Sequence, residues 1–439
     1  MEVLLLRVPS TGEQRFAGDP PISQGLIAAV LWEAGISCEI LDLSFEGDSG
    51  LNKLLAGLER TDLRVVGMSA FQSNIERCLQ IAAIVRRIRS DVRILLGGPQ
   101  ATHMPAIGLR EMPMIDGLCR GPGEYALPQY VNALRDAREE VAGWLLRTDS
   151  GGFVDSRAAL LPEHETFPSP YQCQLWPLDR YNIGVIFASR GCPYNCSFCY
   201  TPAISNQHLS LRTEERILRD ILMLAEAGVR HVFFADPIFV VQRERCLRLL
   251  RDLGNLHTGI TFNCETRVEA IDQELLEALS RAGCISISYG LETASSTVLA
   301  GVRKNINIKR FKEIVTMTLE HGILVELFCL YGLPGQTADD VRYTFDFIEG
   351  WGLAVQAAAA LQQLQLYFGI EILRDPSRFG IEIIGKQPAY LSPGLSFRTT
   401  TLGPDEFQAL ESEWSIRFEQ ARKKFHIPIA GRGASTHHS

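Results

Sequence analysis

No run of about 18 apolar residues occurs anywhere in the 439-residue chain, so no segment suits a membrane-spanning helix. The opening MEVLLLR is interrupted by Arg7 and Pro9, so no secretion signal is expected and the cytoplasm is the expected location. Positive charge is also in short supply: 43 Lys and Arg stand against 51 Asp and Glu, a net charge of −8. Without an overall positive field, neither nucleic acid nor an anionic membrane surface is an expected partner. There is no G-x-x-x-x-G-K-[ST] phosphate loop, no internal repeat and no low-complexity tract. At 46% apolar and 21% charged, the composition excludes a fibre, a disulfide mini-protein and a disordered tail. The length suffices for two or three domains. Eleven cysteines in a reducing compartment are core thiols or metal ligands rather than a disulfide framework, and their spacing decides which.

Residues 1–138 alternate strand and helix patterns. Val3 to Arg7, SCEILDL, RVVGMSA and VRILLGG are apolar strands, and the last closes on Gly97 and Gly98. Such alternation predicts an α/β, Rossmann-like parallel sheet with ligands beyond the carboxyl ends of its strands. That rim carries Ser10 to Gly18, Ser69 to Asn74, Pro99 to Met104 and Arg120 to Glu124. Residues 139–182 break the rhythm with a Gly151-Gly152 hairpin signal and Pro162, Pro168, Pro170 and Pro177, the pattern of a linker. From 183 to 375 come six strand patterns, IGVIFAS, HVFFAD, GITFNC, ISISYG, ILVELFCLYG and QLQLYF, separated mostly by helical stretches. The expectation is an open (βα)6 partial TIM barrel. Residues 376–439 form a C-terminal extension, with an exposed amphipathic helix from Pro404 to Lys424 and a frayed end.

After the first strand of the second domain, RGCPYNCSFCY sets Cys192, Cys196 and Cys199 at C-x3-C-x2-C spacing. A structural zinc site wants four protein ligands, usually from two separated pairs, and no partnering C-x2-C or H-x3-H follows. Three thiolates on one short segment suit a [4Fe-4S] cluster with the fourth iron left open. Zinc, or three coincidental core thiols, are the competing readings. Pro193 and Asn195 in a loop at a strand end argue against the latter. The other eight cysteines lie mostly within apolar patterns and read as core thiols.

This loop resembles the signature of the radical S-adenosylmethionine (SAM) superfamily. The resemblance implies that Cys192, Cys196 and Cys199 hold the cluster and that its open iron chelates the methionine moiety of SAM. It further implies one-electron cleavage to a 5'-deoxyadenosyl radical that takes hydrogen from a substrate. By the same resemblance Phe198 lies near the adenine, or is a core Phe. Asp236 in HVFFADP accepts from the cofactor's amino group, or only opens a turn before Pro237. Glu292 and Ser295 in YGLETAS contact ribose or carboxylate. Arg267 pairs with the methionine carboxylate, or sits on the surface. Gly332 in LYGLPGQT makes the glycine contact to adenine, or with Gly335 is a turn glycine.

In the first domain SAFQSN, GGPQAT and RGPGEYA resemble the cobalamin-binding-type domain that precedes the radical domain in a large subgroup. An Asp-x-His-x-x-Gly motif is missing, so no histidine replaces the lower base of a bound cobalamin. Phe71, Gln72, Gln100, His103 and Met104 put bulk on the rim where a corrin needs room. The resemblance implies a small polar biosynthetic intermediate as substrate. It also implies a one-electron donor of flavodoxin or ferredoxin type, or a partner reductase. On the crowded rim and short C-terminal part, the sequence tips slightly toward dehydration of a sugar-like alcohol, as in the radical dehydratases of aminoglycoside biosynthesis. Cobalamin-dependent C-methylation is the alternative, and a non-catalytic cluster or cobalamin sensor the reading from another class.

Overall fold

A computed structural model of the chain describes residues 1–10, 18–46, 49–137, 141–148, 150–156, 167–205, 207–350, 355–356 and 361–425. Most of the expected Ser10 to Gly18 rim segment, Pro162 and the last residues lie outside that set. The chain divides into two compact units, Met1–Ile183 with Tyr367–Gly369 and Lys386–Ser392, and Gly184–Leu366 with Ile370–Gly385 and Pro393–Ser439.

In the first unit the strands are β1 (Val3–Arg7), β2 (Cys38–Asp42), β3 (Val65–Ser69), β4 (Arg93–Gly97) and β5 (Gly117–Cys119), followed by β6 (Trp144–Arg147) and β7 (Phe153–Ser156). Their order is β2-β1-β3-β4-β5-β6-β7, parallel through β5. This is the doubly wound 2-1-3-4-5 order, whose switch point lies between β1 and β3. Leu4, Leu6, Val66 and Leu96 pack into one core cluster, and Val3, Leu5, Val65 and Leu95 into another. Helices on both faces therefore explain why these strands are continuous apolar runs.

The expected linker departs from the sequence reading. β6 and β7 form an antiparallel hairpin, turned at Gly151 and Gly152, that pairs with β5 and lengthens the sheet. Further on, Tyr171 is 1% exposed. The Trp176 ring occupies the space beside Gly25, where a Cβ would come within 2.5 Å of it. Aromatic packing onto the helix Ile22–Glu33 makes this proline-rich stretch part of the domain.

The second unit contains β8 (Gly184–Ile186), the two-stranded pair β9 (Ser189–Arg190) and β10 (Ser210–Leu211), then β11 (His231–Phe234), β12 (Thr261–Thr266), β13 (Cys284–Glu292), β14 (Leu324–Tyr331), β15 (Val355–Gln356) and β16 (Leu361–Gln363). The parallel order is β15-β14-β13-β12-β11-β8, with β16 also paired to β14, and helices intervene between successive main strands. This is the open barrel that was expected. The closing strand sits at Leu361–Gln363 and shares only Gln363 with the QLQLYF pattern. Leu366 makes only an isolated bridge to Gly394, and Tyr367–Gly369 belongs to the first unit. The helix Pro404–Phe425 is less exposed than its pattern suggested. Phe407, Leu410 and Trp414 are buried, and Trp414 packs on Phe345 at 4.6 Å between ring centroids.

Candidate functional site

The cysteine loop leaves the sheet through β9, and backbone geometry fixes the exit. Gly191 adopts φ +89°, and a Cβ there would lie 1.9 Å from the His208 carbonyl oxygen, so only glycine fits directly ahead of Cys192. Asp236, 1% exposed just past β11, holds the incoming segment. Its carboxylate accepts from the Ala188 N–H at 3.0 Å and from the Ser189 hydroxyl at 2.5 Å. Burial outweighs these bonds and pushes its pKa up to about 6.

The loop is then stitched to the segment after β13. The Ser197 N–H donates to the Val302 carbonyl at 3.1 Å, and Arg303 donates to the Asn195 carbonyl through Nε (3.1 Å) and Nη2 (2.9 Å). Arg303 is also ion-paired with Glu371, and the Ile372 N–H donates to the Ser197 carbonyl at 3.3 Å. Cys192 and Cys196 are buried and Cys199 half-buried, and none is in a disulfide. Burial pushes the Cys192 and Cys199 thiols up. The three sulfurs are close enough to perturb one another electrostatically, and the positive charges of Arg267 and Lys304 act on Cys192 in the opposite sense.

Among the described residues, no three His, Cys, Asp or Glu side chains are arranged to hold a single metal ion. Three soft sulfurs grouped on one loop, with cationic side chains beside them, fit a cluster in which each thiolate takes its own iron.

The other expected residues divide. Phe198 is half-buried within the loop. Glu292, at the end of β13, has φ +60° and is ion-paired with Lys304, both nearly buried. Gly290 leaves room for that pair, since a Cβ would meet Lys304 Nζ at 2.3 Å and Glu292 Oε1 at 2.6 Å. The carboxylate expected to face ligand thus has an internal cation. Ser295 sits at the N-cap position of the helix Ser296–Gly301, without a side-chain capping bond, and lines a surface hollow with Asn307, Asp340 and Tyr343. Gly332 has φ +82°, but the space of its missing Cβ is filled by Phe407 (3.1 Å) and Phe397 (3.4 Å). Its glycine is accounted for by backbone conformation and aromatic packing rather than by a free face for a base. Arg267 has its nitrogens engaged by Glu269, Asn305 and Cys196, so the free fork expected for a carboxylate is already occupied.

Sequence reasoning missed Arg303, Lys304 and a polar level on the sheet. Glu265, Ser288 and Glu326 lie side by side on β12, β13 and β14. Glu265 sits on the opposite face of its strand from the fully buried Phe262 and Cys264. Ser288 Oγ donates to Glu326 at 3.0 Å. Burial, with help from the Glu326 and Asp236 charges, pushes Glu265 up to about 7. The period-two alternation in FNCETR and LVELFC was the available signal.

On the first unit's rim, bulk does not mean obstruction by free side chains. Gln72 exchanges three hydrogen bonds with Ser392, accepting from its N–H (3.2 Å) and hydroxyl (2.9 Å) and donating to its carbonyl (3.1 Å). Gln100 is 2% exposed and donates to the Tyr390 carbonyl at 2.8 Å. Met104 is in the core, and His103 packs over Gly369. Phe71 alone of the five is exposed. Two of the five, Gln72 and Gln100, are anchors for Lys386–Ser392, because amide side chains need polar partners and this segment supplies them.

The radical SAM superfamily model matches residues 186–348, and the B12 binding domain model matches residues 20–131. The chain is 26% identical over 358 residues to an uncharacterized methyltransferase of Pyrococcus horikoshii, covering 79% of this chain and 77% of that protein. It is 23% identical over 370 residues to the anaerobic magnesium-protoporphyrin IX monomethyl ester cyclase of Rubrivivax gelatinosus, covering 78% of this chain and 64% of that one. In fold it is similar to the radical SAM methyltransferase TsrM of Kitasatospora setae, solved with tryptophan and a SAM analogue. The TM-score is 0.78 at 18% identity, over 97% of this chain and 90% of that one. No helix among the described residues is long and apolar enough to cross a membrane. With the cysteine loop at the head of one matched region and the 2-1-3-4-5 sheet in the other, the chain carries a radical SAM domain and a B12-binding domain.

Proposed function

We propose that the protein is a cobalamin-dependent radical SAM enzyme that methylates a carbon of a small polar intermediate. The observation that carries this reading is the pairing, in one chain, of the three-cysteine loop with a doubly wound B12-type sheet whose rim glutamines are tied down. The preference for dehydration rested on a crowded rim and a short C-terminal part; of the five rim side chains, Gln72 and Gln100 are turned to the Lys386–Ser392 segment rather than left free. The methyltransferases of P. horikoshii and K. setae support the alternative.

When bound, the cluster, SAM and cobalamin would together supply one-electron chemistry and a transferable methyl group. The chain's own part is positional. Cys192, Cys196 and Cys199 would ligate iron as thiolates, their protons displaced by metal binding. Gly191, Asp236 and Arg303 hold the loop's shape. Lys304 places a desolvated positive charge near the sulfurs, with Glu292 fixing it. Ser69 to Asn74 and Pro99 to Met104 would receive the corrin, with no histidine offered in the Asp-x-His-x-x-Gly pattern. Glu265, Ser288 and Glu326 offer hydrogen-bond partners to a polar substrate, and Glu265 can donate a proton at neutral pH because its pKa is about 7. Phe198 and Ser295 remain candidates for contacts to SAM.

The test is anaerobic reconstitution with iron, sulfide and hydroxocobalamin, followed by desalting and incubation with methyl-labelled SAM, a reductant and candidate substrates. Retained corrin and label transferred to carbon support the reading. A corrin-free protein that releases 5'-deoxyadenosine and water-loss products overturns it.

A further inference from the structure

Arg267 follows β12 and reaches the cysteine loop. Its guanidinium lies 4.0 Å above the centroid of the Tyr194 ring, which is itself part of that loop. Its Nη1 donates to Cys196 Sγ at 3.9 Å. Nε and Nη2 donate to Glu269 at 3.2 and 2.8 Å, and Nη2 also reaches the Asn305 carbonyl at 3.5 Å. The side chain is 11% exposed, so its charge is only weakly screened by water. Ring, carboxylate and carbonyl fix the fork so that one N–H is aimed at one sulfur of the three.

We propose that Arg267 is a positioning residue for the electron-transfer step, setting the reduction potential of the cluster through its hydrogen bond to Cys196, with Glu269 as the opposing control. This rests on the three-cysteine cluster of the proposed function. Reduction adds one negative charge to the cluster and its sulfurs. A desolvated cation with an N–H on a ligand sulfur stabilises that extra charge more than it stabilises the oxidised form. Glu269 lies on the far side of the guanidinium and subtracts from the effect. Removing either partner therefore moves the potential in opposite directions, which a purely structural clamp on Tyr194 does not do.

The experiment is redox titration of the anaerobically reconstituted full chain, followed by the electron paramagnetic resonance signal of the reduced cluster, in wild type, Arg267→Gln, Arg267→Lys and Glu269→Gln. Arg267→Gln is expected to disfavour reduction at least tenfold, about 59 mV toward more negative potential for a one-electron couple. Glu269→Gln is expected to shift it the other way, and Arg267→Lys to lie between Gln and wild type. Equal potentials in all four, each holding a full cluster, overturn the role of Arg267 and leave the cluster assignment standing. A wild-type chain that assembles no such cluster overturns both.

Discussion

The two large sheets of this protein solve burial differently. In β1 and β3 four consecutive residues are buried, because both faces are covered. In β12 and β14 buried residues alternate with half-exposed ones. A sheet sealed on both faces leaves its strand ends and loops as places for a ligand, whereas a sheet with one open face can present side chains along its length. The first unit accordingly concentrates its polar chemistry at the rim, in Gln72, Gln100 and the loops after β3 and β4. The second places Glu265, Ser288 and Glu326 along its strands and the cysteine loop after β9.

That contrast can be broken at its tightest point first. Gly191→Ala adds a methyl against the His208 carbonyl in a left-handed backbone. The expected cost is about 2–5 kcal/mol, from backbone strain and overpacking together. Thermal unfolding should register it, and iron content after reconstitution should fall. An Ala variant with wild-type stability and iron would show that the exit geometry is slack.

The open face is tested by Glu265→Gln. Because the folded-state pKa is about 7 against 4.5, the folded chain holds a proton that the unfolded chain has lost between those values. Stability must therefore fall as pH rises through that window, by as much as about 3 kcal/mol. The Gln variant should show a flatter profile from pH 4.5 to 7 in denaturant titrations. Asp236, raised to about 6, acts in the same direction and leaves a residual slope below that pH. Identical profiles would mean the Glu265 carboxyl is better solvated than its position implies.

The smallest effect belongs to the sealed sheet's rim. Gln72→Ala removes three hydrogen bonds and leaves the buried Ser392 groups unsatisfied, at about 1–3 kcal/mol. It should leave iron content untouched, and corrin retention should weaken if the Lys386–Ser392 segment supports that rim. Loss of iron in this variant would remove the distinction between the two units.

How far the sequence spoke depends on the range of the interaction. The parallel strands and the cysteine loop were legible because apolar runs and C-x3-C-x2-C spacing are local. Pro168, Pro170 and Pro177 looked like a linker because nothing local shows that Trp176 covers Gly25, some 150 residues earlier. The same holds for Arg267, Glu292 and Gly332. Their residue types were picked out as ligand contacts, yet Cys196, Lys304 and Phe407 meet them only in the folded chain. Gln72 and Gln100 looked obstructive for the same reason, their partners being about 300 residues away.

The most direct test of the central claim is metal and corrin analysis of the wild-type protein, reconstituted and desalted without oxygen. About four irons, three of them ligated by Cys192, Cys196 and Cys199, and about one corrin per chain are expected. Zinc in place of iron, or a chain that keeps neither iron nor corrin, would contradict it.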